Sequence, residues 1–277
     1  MPDGLALGFR GGITLRRVRP ARDGGASPSF GSGAVLGCGL PEARTLHIES
    51  PFDYRDQARI YLPRNMPEPQ HPEFAVKFIA ACAPLLEASG GRAFLLYTSY
   101  RGLAEGVRAL KARFPNPPFP VLVQGEAPRE ALLKRFRELG TAVLLATGSF
   151  WEGVDVKGEA LSIVAIDKLP FASPDDPLLK ARLEGIRRRG GNPFFDYQLP
   201  QAVLALKQGV GRLIRDFDDF GVIVIGDPRL KTKAYGQVFL QALPPSPVIT
   251  ESAAGAAFLA ERLAKSPPAA VPASQTG

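Results

Sequence analysis

The chain has 277 residues, 45% of them hydrophobic, enough to build a core of its own. With 34 Lys and Arg against 27 Asp and Glu it carries a formal charge of +7, a balance that favours polyanionic partners. Its two cysteines, Cys38 and Cys82, are too few for a disulfide framework, a four-thiolate zinc site or a four-cysteine iron–sulfur cluster, and they fit a reducing compartment. No run approaches the roughly 18 apolar residues of a membrane span, and no secretory signal is evident at the start, so the reading is cytoplasmic, with no membrane partner.

Ten of the 29 glycines fall in residues 1–40, where no hydrophobic period persists, and this segment is expected to be poorly ordered. From about residue 41 the pattern changes. Residues 71–89 place Phe74, Phe78, Ile79, Cys82 and Leu86 at helical spacing, with Pro84 a candidate kink. Apolar bursts at 93–97, 121–123, 142–146, 161–166 and 222–225 read as strands covered on both faces. Helical patterns at 101–114, 128–139, 177–189 and 199–214 alternate with them. Such alternation predicts an α/β domain with a mainly parallel sheet between helices over residues 70–243, and the resemblance described below extends the domain to 41–243. Residues 244–277 read as a Pro/Ala-rich tail with a short helix near 253–263.

In open parallel sheets ligands gather where strands end, and three motifs are expected at such places. Tyr97-Thr98-Ser99-Tyr100-Arg101 offers hydroxyls for a phosphate and rings for unpaired bases. It reads equally as an N-cap with tyrosines packed on the sheet. Residues 147–155, Thr-Gly-Ser-Phe-Trp-Glu-Gly-Val-Asp, combine two glycines, a hydroxyl, the one Trp and two carboxylates. A plain turn with the Trp packed down as a plug is the other reading. In residues 208–215, Gln208, Arg212 and Arg215 are spaced to share one helical face, where two guanidiniums would suit a phosphate. A solvated basic face is the alternative, and the helix-weakening glycines 209 and 211 suggest close backbone approach. Arg187-Arg188-Arg189 could track a nucleic-acid backbone but reads more readily as a solvated helix end, and neither His47 nor His71 has partners at metal-ligand spacing.

In this order and at these distances the motifs resemble the second RecA-like domain of superfamily 2 DNA helicases of the DinG/YoaA (XPD-like) branch. LLYTSYRGL (95–103) is similar to helicase motif IV, ATGSFWEGVDVKG (146–158) to motif V and QGVGRLIR (208–215) to motif VI. The connecting stretches 167–177 and 192–209 resemble the same branch. The resemblance implies a P-loop NTPase-type fold and an ATP-dependent, 5′ to 3′ DNA helicase acting on single-stranded DNA in repair or replication. It makes Arg215 the arginine finger, Arg212 its companion and Gln208 their support. Glu152, Gly153, Asp155 and Gly211 would lie at the nucleotide edge, and Ser99, Tyr100, Arg101, Ser149 and Trp151 along the DNA.

No G-x-x-x-x-G-K-[ST] loop and no Walker B segment occur in the 277 residues. ATP and Mg²⁺ would therefore be held mainly by a separate N-terminal half, and the iron–sulfur cluster of that branch is not encoded. The chain alone is expected to turn over little ATP. A misread or truncated gene is one expectation that follows. The rival reading is a catalytically silent module that grips single-stranded nucleic acid or docks on a partner.

Overall fold

The structure, a computed structural model, describes residues 5–9, 12–17, 44–150, 160–173 and 175–265. Backbone alone is described for strands β1 (Leu5–Phe9), β2 (Gly12–Arg17) and β3 (Arg44–Glu49), an antiparallel sheet in the order β1-β2-β3. Two of these strands lie within residues 1–40.

A seven-stranded parallel sheet organises the rest, in the order β10-β4-β9-β8-β5-β7-β6. Its strands are β4 (Ala58–Tyr61), β5 (Ala93–Tyr97), β6 (Val121–Val123), β7 (Val143–Thr147), β8 (Ile163–Ile166), β9 (Gly221–Ile225) and β10 (Val248–Ile249). Side chains along each strand alternate between two buried faces. Ala93, Leu95 and Tyr97 point to one core, Phe94 and Leu96 to the other. That two-sided burial is the cause of the continuous apolar runs.

The helices are α1 (Tyr54–Gln57), α2 (Phe74–Ser89), α3 (Tyr100–Arg113), α4 (Arg129–Leu139), α5 (Pro177–Arg188), α6 (Leu199–Val210), α7 (Arg229–Thr232), α8 (Gly236–Ala242) and α9 (Ser252–Lys265). One face of the sheet is covered by α2, α3 and α9 through Phe78, Leu86, Leu103, Leu110 and Leu259. The other is covered by α4, α6 and α8 through Phe136, Ala202, Leu206 and Phe239. Helices on both faces of a parallel sheet give the layered α/β architecture of a RecA-like domain.

Pro84, the candidate kink, lies inside α2. Three details depart from the sequence reading. Helix α6 stops at Val210, four residues short of the expected end, because Gly211 caps it. Strand β4 and the short helices α7 and α8 were not anticipated. Residues 248–265 belong to the fold rather than to a tail: β10 pairs with β4, and the helix expected near 253–263 is α9, which buries Phe258 and Leu259.

Candidate functional site

Strands β5, β6, β7 and β8 deliver their loops to one edge of the sheet, since all run in the same direction. At the end of β5, Ser99 takes the N-cap position of α3, its hydroxyl accepting from the Gly102 amide at 3.0 Å. The capping reading of this motif therefore holds for Ser99. Tyr100, next in the chain, is 69% exposed. Arg101 is also exposed and ion-pairs with Glu105 at 2.9 Å. Gly106 lets α3 close on the sheet, for a Cβ there would collide with the Tyr97 ring and hydroxyl.

Gln124, just past β6, joins these loops. Its Oε1 accepts from the Thr147 amide at 2.6 Å and from the Thr147 hydroxyl at 2.9 Å, while its Nε2 donates to the Tyr100 hydroxyl at 3.2 Å. Thr147 ends β7 and leads into the 3-10 turn Gly148–Phe150. There Phe150 is packed in the core with the Arg129 guanidinium 5.6 Å from its ring. Trp151, Glu152, Gly153, Asp155 and the side chain of Ser149 lie outside the described residues. Tyr97, Thr98, Gly148, Pro170, Phe171, Ala205 and Gln208 line a cleft of about 210 Å³. The ends of β5 and β7 and helix α6 thus meet, with Gln208 the one motif VI side chain facing that cleft.

Behind the cleft two buried carboxylates tie the loops after β8 and β9. Asp167 accepts from the amides of Thr98 at 3.0 Å and Lys168 at 2.7 Å. Its burial pushes the carboxyl up to about 7 against the opposing pull of Lys168 and those two amides. Asp227 accepts from the Leu169 amide at 2.8 Å and pairs with Arg229 at 2.6 Å. Asp167 immediately follows an apolar strand and Asp227 follows one after a single glycine, a signal for loop anchors that sequence reasoning passed over.

Arg212 and Arg215 are placed differently. They do not share a helical face with Gln208, because the chain leaves α6 at Gly211 in tight turns that bring the Leu213 amide to the Val210 carbonyl at 3.1 Å. Gly211 is pressed against the Lys207 carbonyl, which an added Cβ would approach to 3.0 Å. Leu213 and Ile214 then plunge into the core, and residues 215–219 lead into β9. In a parallel sheet the entrance of β9 is the edge opposite the strand ends, so the expectation that every motif lies where strands end fails for this one. The reason is that α6 is itself the crossover returning the chain to the starting edge.

The arginine-bearing turn is fixed from both sides. Asp219, 6% exposed, accepts the amides of Arg215 at 2.7 Å and Asp216 at 2.8 Å. Gln57, from the segment entering β4, donates Nε2 toward the carbonyls of Asp216, Phe217 and Asp219 at 3.0, 2.9 and 2.9 Å. Ala58 pairs with Gly221, which sets the two segments side by side. Neither Gln57 nor Asp219 belongs to a spaced motif. Among the described residues no group of three or more His, Cys, Asp or Glu is arranged to hold a metal, and no helix is long and apolar enough to cross a membrane.

A layered parallel sheet with loop motifs at the ends of β5 and β7 and an arginine turn after the crossover helix defines the class: a RecA-like helicase domain. The helicase C-terminal domain family matches residues 82–246, and the chain belongs to that family, in its DinG/YoaA (XPD-like) superfamily 2 branch. It is 52% identical over 225 residues to the ATP-dependent DNA helicase YoaA of Escherichia coli, covering 80% of this chain and 34% of that protein. To the 3′-5′ exonuclease DinG of Bacillus subtilis it is 39% identical over 211 residues, covering 74% and 23%. The chain thus spans about a third or less of the length of these relatives. Among solved structures, S. tokodaii Xpd4 superposes with a TM-score of 0.51 at 15% identity over 72% of this chain and 39% of that one. S. cerevisiae Dbp5 bound to RNA and ADP BeF3 gives 0.53 at 14% identity over 86% and 54%. At such identities these two likenesses show the fold.

Proposed function

We propose that the chain is the arginine-supplying half of an ATP-dependent DNA helicase motor, working with an ATPase half that binds ATP and Mg²⁺ and provides the phosphate cradle. Arg215 reaches the γ-phosphate as arginine finger, Arg212 accompanies it, and Gln208 supports the same interface. Glu152, Gly153 and Asp155 of the loop after β7, with Gly211, border the nucleotide. Tyr100, Arg101, Ser99, Ser149 and Trp151 face single-stranded DNA, and the working protein serves DNA repair or replication. The observation that carries this reading is the turn bearing Arg215, held by the Asp219 carboxylate through two backbone amides. A guanidinium on such a mount is pre-organised for charge that develops at one point in phosphoryl transfer.

What the chain supplies is positive charge and orientation; its sequence has no Walker A loop or Walker B segment with which to cradle the phosphates. The reading predicts that the chain joined to the remainder of E. coli YoaA hydrolyses ATP in response to single-stranded DNA. Arg215→Ala should lower that turnover by about 10³ to 10⁵, the range measured for arginine fingers. An undiminished rate would leave the silent binding module as the better description. DNA affinity of the chain alone should be micromolar at best and fall steeply with salt, because backbone phosphates dominate such contacts.

A further inference from the structure

We propose that Gln57 is a positioning residue for Arg215, acting from outside every recognised motif by holding the carbonyl side of the arginine-bearing turn. This rests on the reading of Arg215 as the residue that meets the nucleotide.

Three carbonyl oxygens, those of Asp216, Phe217 and Asp219, converge within 3.0 Å of the single nitrogen Nε2 of Gln57. Converging carbonyl dipoles repel one another, and the chain adds three aspartates at 216, 218 and 219 in the same turn. The conformation therefore needs a donor at its centre. An amide NH₂ has two protons for these three acceptors, so at least one proton is shared. The other end of the same amide argues that donation is its purpose. The Oε1 of Gln57 is buried without a hydrogen-bond partner. An apolar side chain would fill that space without stranding an oxygen, so the position keeps a polar group for its Nε2.

The brace has a second point of contact. Phe52 meets the ring of Phe217 edge-on at 5.5 Å, and Asp53 caps the short α1 that carries Gln57. With Asp219 gripping the amides of Arg215 and Asp216, both hydrogen-bonding sides of the turn are occupied by buried side chains. Residues 211–220 contain no regular structure, so these side chains and the buried Leu213 and Ile214 set the direction in which Arg215 leaves the core. A displacement of about 1 Å in such a group can cost on the order of 10² in rate.

Hydrogen exchange on the intact chain tests the clamp without nucleotide. Gln57→Met keeps the length of the side chain and deletes both donors. The amides of Arg215 and Asp216 should then exchange at least about tenfold faster than in the wild type, while those of β5, β7 and α2 keep their rates. Unchanged exchange at 215 and 216 overturns the proposal, and so does acceleration spread evenly over the domain, which would mark Gln57 as packing alone. Gln57→Glu, of the same shape, turns a carboxylate toward the three carbonyls. It should give the same local acceleration at pH 8, and wild-type exchange in that variant also overturns the clamp. In the protein joined to the remainder of YoaA, Gln57→Met should lower kcat about tenfold and leave KM for ATP unchanged. Accelerated exchange with unaltered kcat overturns the positioning role. An unaltered kcat in Arg215→Ala would instead remove the arginine reading and leave the exchange result intact.

Discussion

The two ends of the parallel strands are built to different standards. Where β5, β6 and β7 end, Tyr100 stands exposed and is tethered through its hydroxyl to Gln124 by one bond of 3.2 Å. Where β4 and β9 begin, the turn after Arg215 is gripped on its amides by Asp219 and on its carbonyls by Gln57, both 6% exposed. A loosely held ring suits a polymer whose successive bases each offer a similar face. A buried mount suits a cation that must meet one atom.

One group on the strand-end edge breaks this division and sharpens it. Asp167 is buried where Tyr100 is exposed, and its carboxyl is pushed up to about 7 by that burial. A carboxyl raised in the folded state contributes stability that is full below its unfolded value and lost as pH rises through about 7. The interval from 3.8 to about 7, at about 1.36 kcal/mol per pH unit, corresponds to at most about 4 kcal/mol. Asp167→Asn keeps an acceptor for the Thr98 and Lys168 amides and removes the charge. Relative to the wild type it should gain stability between pH 4 and about 7 in urea melts and hold that gain at higher pH, and parallel pH curves for the two proteins would contradict the assignment.

Asp219→Ala attacks the rigid mount. Losing a carboxylate that accepts two amides should cost about 3 to 6 kcal/mol, at roughly 1.5 to 3 for each hydrogen bond to a charged group. The equivalent change at the other edge, Gln124→Met, removes neutral hydrogen bonds in a half-exposed setting and should cost only about 1 kcal/mol, while weakening binding of single-stranded DNA. Equal costs for the two variants would erase the comparison. The smallest effect is expected for Arg101→Ala. Its ion pair with Glu105 is a surface i,i+4 pair with the guanidinium 89% exposed, so thermal stability should change by less than about 0.5 kcal/mol. DNA affinity should fall measurably all the same.

The strands that the sequence made legible are those buried on both faces, because a run such as Ala93–Tyr97 has no polar residue to interrupt it. Strand β4 stayed hidden because Arg59 breaks its run, the guanidinium being sheltered over the Phe258 ring at 4.2 Å. The end of α6 was overshot because Gly211 reads as a residue inside a helix unless the following Leu213 and Ile214 are known to turn into the core. At the candidate site, motif spacing drew attention to Ser99, Tyr100, Gln208 and the arginines. It was silent about Gln57, Gln124 and Asp167, whose importance comes from partners 159 to 162, 23 and 69 residues away. No local pattern encodes such pairings.

The account's central claim is that the two edges do separable work, and one paired measurement addresses it. In the chain joined to the remainder of E. coli YoaA, single-stranded DNA affinity and ATP turnover are determined together for Arg215→Ala and Tyr100→Ala. Arg215→Ala should lose turnover by about 10³ or more with DNA affinity within twofold of the wild type. Tyr100→Ala should lose affinity by about tenfold, as deletion of a stacking ring does, and keep turnover at saturating DNA. If Arg215→Ala weakens DNA binding as much as Tyr100→Ala while turnover survives, the arginine turn belongs to the DNA surface and the division proposed between the edges is wrong.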